Sequence, residues 1–160
     1  MSSFRIGYGE DIHPLKEGRD LFLCGVKIPF DKGLDGVSDG DAPLHALGDA
    51  LLGALALGDI GKYFPPKDPS CLGMESKRII EKCLFFLKEK GYRVGNVDVS
   101  IYAEQPHLAP FIFQMRENLA SLLEVEVDRV SIKAGTNEGF DAVGQGAAIK
   151  ASAIALIVRD

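Results

Sequence analysis

The sequence predicts an α+β fold, in which a mixed sheet of four to five strands has its helices packed on one face. Three observations support this fold class. Apolar and polar residues alternate over residues 96–102, as in a strand with one buried face. Leucines recur at helical spacing between Leu44 and Leu55, and a second amphipathic helix follows at residues 74–90. Strand and helix patterns are mixed along 160 residues, a length that suits one domain over residues 1–160.

The N-terminal part is predicted to form two strands and a loop. Residues 4–9 form a short strand that ends in a glycine turn, and residues 10–14 follow its exit. Residues 21–30 form a second strand with a break at Gly25, and the proline in it indicates an edge position or a strand end. Residues 31–37 then form a loop that leads into the first helix.

The stretch SDGDAPLHALGDALLGALALGDIG, residues 38–61, is predicted to contain the first helix. The side chains of Ser38, Asp39 and Asp41 offer oxygen atoms to the unpaired N–H groups of a first helical turn. The apolar residues that follow have helical spacing and predict a buried face: Leu44, Leu47, Leu51, Leu52 and Leu55.

The segment GDIG, residues 58–61, is expected to end this helix. Its two glycines form either a plain C-cap or a backbone that approaches a ligand closely. Residues 62–73 contain three prolines and are irregular, with Phe64 placed to cover a pocket. We expect the remaining elements to be a helix, a strand, a helix and two strands, at residues 74–90, 96–102, 110–123, 130–134 and 147–158. The last segment fits a strand or a helix, and we choose a strand because its β-branched residues favour a sheet.

Composition and charge exclude several classes of protein. The formal charge of −5 and the pI near 5.2 argue against a general binder of nucleic acid or of an anionic membrane, since both need a basic surface. The three cysteines lack metal-finger spacing and leave an odd thiol in any disulfide scheme, so we expect them to be reduced. The sequence has no apolar run of the roughly 20 residues that a membrane span needs, and no signal-peptide pattern. We therefore expect a cytoplasmic protein.

Two groups of residues are candidate metal ligands. Asp41, His45 and Asp49 occupy successive i, i+4 positions of the predicted helix, so an imidazole lies between two carboxylates. Asp11 and His13 are two residues apart in extended chain and face the same side. Imidazole and carboxylate both bind Zn²⁺, and a neighbouring carboxylate can fix a histidine's tautomer. Simpler interpretations stay open, namely a surface histidine between solvated acids and a hydrogen-bonded Asp–His pair.

The loop GTNEG, residues 135–139, is a third candidate site. It brings together the hydroxyl of Thr136, the amide of Asn137 and the carboxylate of Glu138. Such a loop could hold a phosphate or a hard cation, and it could equally be a simple turn.

Four segments taken together resemble one family. GYGEDIHP, SDGDAPLHALGDALLGALALGDIGKYFP, GNVDVSIYAEQP and KAGTNE, in this order, resemble the 2-C-methyl-D-erythritol 2,4-cyclodiphosphate synthase family of the non-mevalonate isoprenoid pathway. The resemblance covers almost the whole chain. It implies a cyclic homotrimer with active sites between adjacent subunits. It also implies a lyase, in which the 2-phosphate of 4-diphosphocytidyl-2-C-methyl-D-erythritol 2-phosphate attacks the β-phosphorus and expels CMP.

The same resemblance implies two metal sites. The family's zinc ligands match Asp11, His13 and His45, with a fourth position left for substrate. Asp49 would lie beside them as a partner of the ligands. The carboxylate that holds a second ion, Mg²⁺ or Mn²⁺, matches Glu138, which together with Thr136 is also a catalytic candidate.

The resemblance further implies a set of substrate contacts. Asp59, Ile60 and Gly61 match the segment that holds the methylerythritol hydroxyls, and Phe64 matches an apolar wall beside it. The stretch 103–109 matches the backbone pocket for cytosine. The full set of substrate-binding candidates is Asp11, His13, Val37, Ser38, Asp59, Ile60, Gly61, Phe64, Asp68, Ala103, Pro106, Ala109, Gly135 and Thr136.

The chain departs from the family pattern at two places. Val37 stands where many members have a histidine, and the loop after Glu138 is short and lacks an arginine. Two alternatives to the lyase follow. One is a catalytically weak trimer of the same fold that binds zinc and a nucleotide. The other is a zinc phosphohydrolase that uses metal-bound water, although the sequence offers no separate general base for it.

Overall fold

A long first strand organises the sheet. The computed structural model describes residues 3–160. Strand β1 (Ser3–Glu17) pairs antiparallel with β7 (Ala148–Arg159) from Ser3 to Pro14, and with the short β4 (Lys32–Leu34) from Leu15 to Glu17. The predicted strand at residues 4–9 is therefore too short, because two successive partners hold its C-terminal half.

The sheet has five strands in the order β4-β1-β7-β5-β6. Strand β5 (Arg93–Tyr102) is antiparallel to β7, whereas β6 (Val130–Gly135) is parallel to β5. One parallel pair among antiparallel pairs makes the sheet mixed, as predicted. The two remaining strands, β2 (Leu21–Leu23) and β3 (Val26–Ile28), form a separate hairpin, so the predicted single strand at residues 21–30 is wrong.

The turn of this hairpin explains that correction. Cys24 and Gly25 have φ values of 52° and 75°. Two successive residues with positive φ are typical of the two-residue turn that reverses the chain in a tight β-hairpin. The buried carboxylate of Asp41 accepts hydrogen bonds from Cys24 N, at 2.9 Å, and from Gly25 N, at 2.7 Å. The hairpin is thereby attached to the start of the first helix.

Within residues 3–160, five α-helices accompany the strands, at Ala42–Ala54 (α1), Ile60–Tyr63 (α2), Lys77–Glu89 (α3), Ile112–Leu123 (α4) and Asp141–Gly144 (α5). Asp41 is the N-cap of α1, and it accepts a hydrogen bond from Leu44 N at 3.2 Å. The first helix is shorter than the 38–61 stretch, because Ala56 adopts a φ of 58° and the chain turns. Short 3₁₀ helices lie at Pro69–Cys71, Ala109–Phe111 and Val127–Arg129.

Alternation along the strands divides the sheet into two faces. Val97, Val99 and Ile101 of β5 are fully buried and join one hydrophobic core, to which α1, α3 and α4 contribute. The alternate residues on β1 and β7 point the other way and are 50–71% exposed: Phe4, Ile6, Tyr8, Ile12 and Ile154. The helices therefore cover one face, and the other is an apolar surface. The chain forms a single α+β domain, as predicted.

Glycine and alanine let α1 approach β1 closely. A Cβ atom on Gly7 would lie 1.8 Å from the Ala50 carbonyl oxygen, and one on Gly9 would lie 2.1 Å from the Ala46 carbonyl oxygen. No larger residue fits without moving the helix backbone. This close packing brings the middle of α1 against the strand positions that follow Gly9.

The structure describes no helix among residues 3–160 that is long and apolar enough to cross a membrane. Cys24, Cys71 and Cys83 are buried and free of disulfide bonds.

Candidate metal centre and nucleotide pocket

Three predicted metal ligands come together between β1 and α1. Asp11 and His13 are alternate residues of β1 and face the helix side, where His45 projects from α1. Asp11 Oδ2 lies 2.6 Å from His13 Nδ1 and 3.3 Å from His45 Nδ1. One ligand atom from each residue lies within 4.8 Å of the other two. Among residues 3–160, this is the one group of three or more such side chains with metal-site spacing.

The donor atoms of this triad fit a divalent cation. Asp11 Oδ2 and His13 Nδ1 are buried and have no partner of hydrogen-bond geometry among the described residues, despite their short separation. Buried polar atoms without partners are costly unless a ligand satisfies them. Two imidazoles and one carboxylate are a donor set typical of catalytic zinc sites, which keep a fourth position open. The hydrogen-bonded Asp–His pair is therefore the weaker interpretation.

Charge within the triad shifts two pKa values in opposite directions. Burial raises the pKa of Asp11, but His13 and His45 lower it more, so the net shift is downward. Burial lowers the pKa of His45, but Asp11, with smaller contributions from Asp41 and Asp39, raises it more, so the net shift is upward. The ionised form of Asp11 is thus stabilised by neighbouring positive charge. A bound cation would supply positive charge at the same place.

His45 has further partners that the sequence did not reveal. Its Nε2 atom lies 2.9 Å from Ser76 Oγ and 3.2 Å from Ser38 Oγ. Ser76 immediately precedes α3, and its hydroxyl donates to Asp39 Oδ1. His45, Ser38 and Ser76 are all buried. The imidazole is therefore a buried group with two hydroxyl partners at Nε2, and it is not a surface histidine.

Asp49 lies one turn after His45 but makes a different contact. Its Oδ1 atom accepts a hydrogen bond from Ile60 N at 2.8 Å. Within the described chain, no hydrogen bond joins Asp49 to His45. The carboxylate instead ties the start of α2 to α1, next to the triad.

A cavity of about 360 Å³ opens over the triad. Besides Asp11, His13 and His45, several substrate-binding candidates line it: Val37, Ser38, Ile60, Gly61 and Phe64. Asp59 is the N-cap of α2 at its margin, and its Oδ1 accepts from Lys62 N at 3.3 Å. Asp68 caps the Pro69–Cys71 helix and accepts hydrogen bonds from Ser70. Gly36 packs against the His13 ring, since a Cβ there would lie 3.0 Å from ring atoms.

A second cavity, of about 300 Å³, lies at the ends of β5 and β6. It is lined by the remaining substrate-binding candidates: Ala103, Pro106, Ala109, Gly135 and Thr136. The buried Leu108 of the same turn also lines it. The two cavities share no lining residue.

The loop that carries Glu138 is exposed and lies beyond β6. Glu138 has a φ of 53°, and its N–H donates to Thr136 Oγ1 at 2.8 Å. Asn137 Nδ2 donates to Asp141 Oδ2 at 2.8 Å. These bonds give the loop a defined shape, but Glu138 does not belong to the Asp11–His13–His45 group. The structure thus brings three of the four predicted metal ligands together.

The comparisons with known proteins agree on one family. The YgbB family model matches residues 4–158. A relative from Trichlorobacter lovleyi, named 2-C-methyl-D-erythritol 2,4-cyclodiphosphate synthase, is 50% identical over 154 residues, which are 96% of this chain and 98% of the relative. Two solved structures are similar as well. The bifunctional IspDF of Campylobacter jejuni matches with a TM-score of 0.95 and 31% identity over 100% of this chain, which spans 43% of that longer protein.

The second solved structure is the CDP complex of IspF from Plasmodium falciparum. It has a TM-score of 0.87 and 31% identity, and the match covers 99% of this chain and 97% of that one. Sequence and structure thus match over nearly the full length of this chain. The chain belongs to the YgbB family, the family of the 2-C-methyl-D-erythritol 2,4-cyclodiphosphate synthases.

Proposed function

We propose that this protein converts 4-diphosphocytidyl-2-C-methyl-D-erythritol 2-phosphate into 2-C-methyl-D-erythritol 2,4-cyclodiphosphate and CMP. An oxygen of the 2-phosphate forms a bond to the β-phosphorus. The bond from the β-phosphorus to the bridging oxygen breaks, and CMP leaves with that oxygen. The observation that carries the proposal is the convergence of Asp11, His13 and His45 in a cavity that is also lined by five residues of the substrate-binding set: Val37, Ser38, Ile60, Gly61 and Phe64.

Asp11, His13 and His45 would hold a zinc ion through one carboxylate and two imidazoles. When bound, the ion would act as a Lewis acid on a phosphoryl oxygen and would neutralise charge there. The unpartnered buried atoms of Asp11 and His13 support this assignment. Glu138 would hold a second ion, Mg²⁺ or Mn²⁺. Water molecules and substrate phosphates would supply most of the ligands of this ion, so one carboxylate from the protein suffices.

The chain's own groups would position the substrate. Asp59 with the backbone of Ile60 and Gly61 would bind the methylerythritol hydroxyls beside the triad, and Phe64 would form an apolar wall. Backbone groups of the 103–109 turn would bind cytosine in the second cavity. Thr136, which lines that cavity, would donate its hydroxyl to a phosphate oxygen. Holding the reacting groups together in this way lowers the entropic part of the barrier.

We further propose that the working form is a cyclic homotrimer. The uncovered sheet face carries exposed large apolar side chains, which soluble proteins ordinarily bury against a partner. The two cavities share no lining residue, so the nucleotide half and the metal half of the site need not come from one chain. A trimer would place the cytosine pocket of one subunit against the triad of the next.

A direct assay tests the proposal. The purified protein is incubated with the diphosphocytidyl substrate, Zn²⁺ and Mg²⁺, and the products are separated. We expect CMP and the cyclic diphosphate in equal amounts, and neither product from a folded His45→Ala variant. Inorganic phosphate without a cyclic product would indicate a phosphohydrolase, and nucleotide binding without turnover would indicate a weak binding protein. Either result would overturn the proposed function.

A further inference from the structure

Asp39, Ser76 and His45 are joined by a series of hydrogen bonds. The N–H groups that bind Asp39 determine the direction of each bond in this series. Asp39 Oδ2 accepts from Ser76 N at 3.0 Å, and Asp39 Oδ1 accepts from Asp41 N at 3.1 Å. Backbone N–H groups can only donate, so both oxygens of this carboxylate act as acceptors. The contact between Ser76 Oγ and Asp39 Oδ1 therefore takes its hydrogen from the Ser76 hydroxyl.

Because the Ser76 hydroxyl donates to Asp39, it can act only as an acceptor toward His45. A hydroxyl has a single hydrogen, and the hydrogen of Ser76 is used on Asp39. Ser76 Oγ must then accept from His45 Nε2, which lies 2.9 Å away. The hydrogen of a neutral His45 consequently sits on Nε2, and the lone pair is on Nδ1. Nδ1 is the atom that faces Asp11 Oδ2, at 3.3 Å.

Burial makes this arrangement difficult to replace. Ser76 is 0% exposed, so water cannot take over its hydrogen bonds in the folded protein. The backbone fixes the position of Ser76 as well, because Asp39 N donates to Met74 O at 3.0 Å and Gly73 N donates to Val37 O at 2.8 Å. Ser76 also stands at the N-cap position of α3 and makes no side-chain cap bond there. Its hydroxyl is reserved for the Asp39–Ser76–His45 chain.

We propose that Ser76 and Asp39 are positioning residues for the metal centre, which fix the tautomer and the ring orientation of His45 so that Nδ1 is ready to bind the ion. The proposal rests on the proposed function, since it assigns these residues to the zinc site named there. Ligand histidines ordinarily need such a partner at the second nitrogen, and loss of the partner reduces metal affinity 10- to 100-fold. Neither residue belongs to the Asp11–His13–His45 group or lines the cavity over it.

The test measures zinc affinity and the histidine tautomer. Zinc affinity is measured on the purified full-length chain by competition with a fluorescent chelator. We expect Ser76→Ala to bind zinc about 10- to 100-fold more weakly than the wild type. Asp39→Asn should lose affinity in the same direction, and the double variant should lose no more than Ser76→Ala alone, since both act through one chain of bonds. Ser70→Ala is the matched control. It also removes a hydrogen bond from a serine hydroxyl to an aspartate, that from Ser70 Oγ to Asp68 Oδ1 at 2.8 Å, but this bond does not involve the triad.

A spectroscopic readout separates this role from a merely structural one. In metal-free protein labelled with ¹⁵N-histidine, at a pH at which His45 is neutral, the wild type should show the Nε2–H form, and Ser76→Ala should show a mixture of both tautomers. Wild-type zinc affinity in a folded Ser76→Ala variant would overturn the proposal. If that variant does not fold, unchanged affinity in Asp39→Asn would overturn it. A wild type that binds no zinc would instead contradict the zinc site of the proposed function. In that case the ¹⁵N measurement of the His45 tautomer alone would test the hydrogen bonds from Asp39 through Ser76 to His45.

Discussion

Gly9 of β1 and Ala46 of α1 are in such close contact that a methyl group on Gly9 would lie 2.1 Å from the Ala46 carbonyl oxygen. The helix that carries His45 thus rests directly on the backbone of the strand that carries Asp11 and His13. The distance between strand and helix determines whether the three side chains reach one ion.

The first prediction tests this contact through Gly9→Ala. The added methyl must push α1 away from β1, so we expect a loss of about 1–3 kcal/mol in the free energy of unfolding and weaker zinc binding. Urea unfolding and chelator competition measure the two effects. Gly53→Ala is the control, because Gly53 is exposed on the same helix and its nearest non-local atom would lie 3.9 Å from the new Cβ. The control should keep its zinc affinity and gain stability, since alanine favours a helix. Equal behaviour of the two variants would contradict the argument.

The second prediction concerns pH and the buried Asp41. Burial raises the pKa of this carboxyl to about 7, against the lowering effect of the backbone N–H groups of Gly25 and Leu44. The folded pKa lies above the ordinary value of 3.8, so this group stabilises the fold at low pH and loses that contribution as the pH rises to about 7. The change amounts to ~4 kcal/mol at most.

Asp41→Asn isolates this contribution, because asparagine does not titrate. The measurement is the difference between the unfolding free energies of the wild type and the variant, from pH 4.5 to pH 8. We expect this difference to fall with rising pH and to level off above about 7. A difference that is constant or that grows with pH would show that the carboxyl is ionised throughout.

The third prediction tests the proposed trimer by complementation. His45→Ala and Glu138→Ala chains are each expected to be inactive when pure. If the two residues meet at each site from different subunits, equal mixing should restore about a quarter of wild-type activity, because that fraction of sites receives both native residues. Mixing must include unfolding and refolding, so that subunits exchange. A pool of mixed trimers without activity, or a fully active monomer in light scattering, would contradict a site between subunits.

The fourth prediction concerns Glu138 and the second ion. Glu138→Gln preserves shape and removes charge, so we expect a strong fall in kcat and a weaker response to added Mg²⁺, with zinc content unchanged. The leaving phosphate gains charge as its bond breaks, and a cation near this loop would stabilise it. Glu126→Gln, an equal charge change at an exposed position, is the control. Normal kcat with an unaltered Mg²⁺ titration would show that water and substrate alone hold the second ion.

Much of the fold could be predicted from local patterns. The alternation in residues 96–102 and the leucine spacing of α1 were correct indicators of a buried strand face and a buried helix face. The full length of β1 could not be predicted, since its second half owes its extended form to pairing with β4 and β7. The hairpin at residues 21–28 was missed because its turn uses Cys24 with positive φ, for which the residue type gives no signal.

The site divides in the same way. The grouping of Asp11, His13 and His45 could be predicted, because residue type and spacing marked them as candidates and the family resemblance joined them into one set. The contact between Ser76 and Asp39 could not be predicted, because it depends on how the start of α3 packs beside the start of α1. The bond from Ser76 N to Asp39 Oδ2 spans a sequence separation of 37. Helical spacing pointed to Asp49 as a partner of His45, but Asp49 Oδ1 instead accepts a hydrogen bond from Ile60 N.

The pairing of β1 with β7 determines when, during synthesis, the Asp11–His13–His45 triad can assemble. Asp11 lies opposite Ala151 and His13 lies opposite Ile149, so the strand with two of the three predicted ligands is held by the last strand described. Closing so long a loop is entropically costly and slow, and contacts of this kind form late. A growing chain on the ribosome would thus display His45 on a local helix well before its partners are in register. We expect any ability to bind zinc to arise only after β7 has been synthesised and has paired with β1.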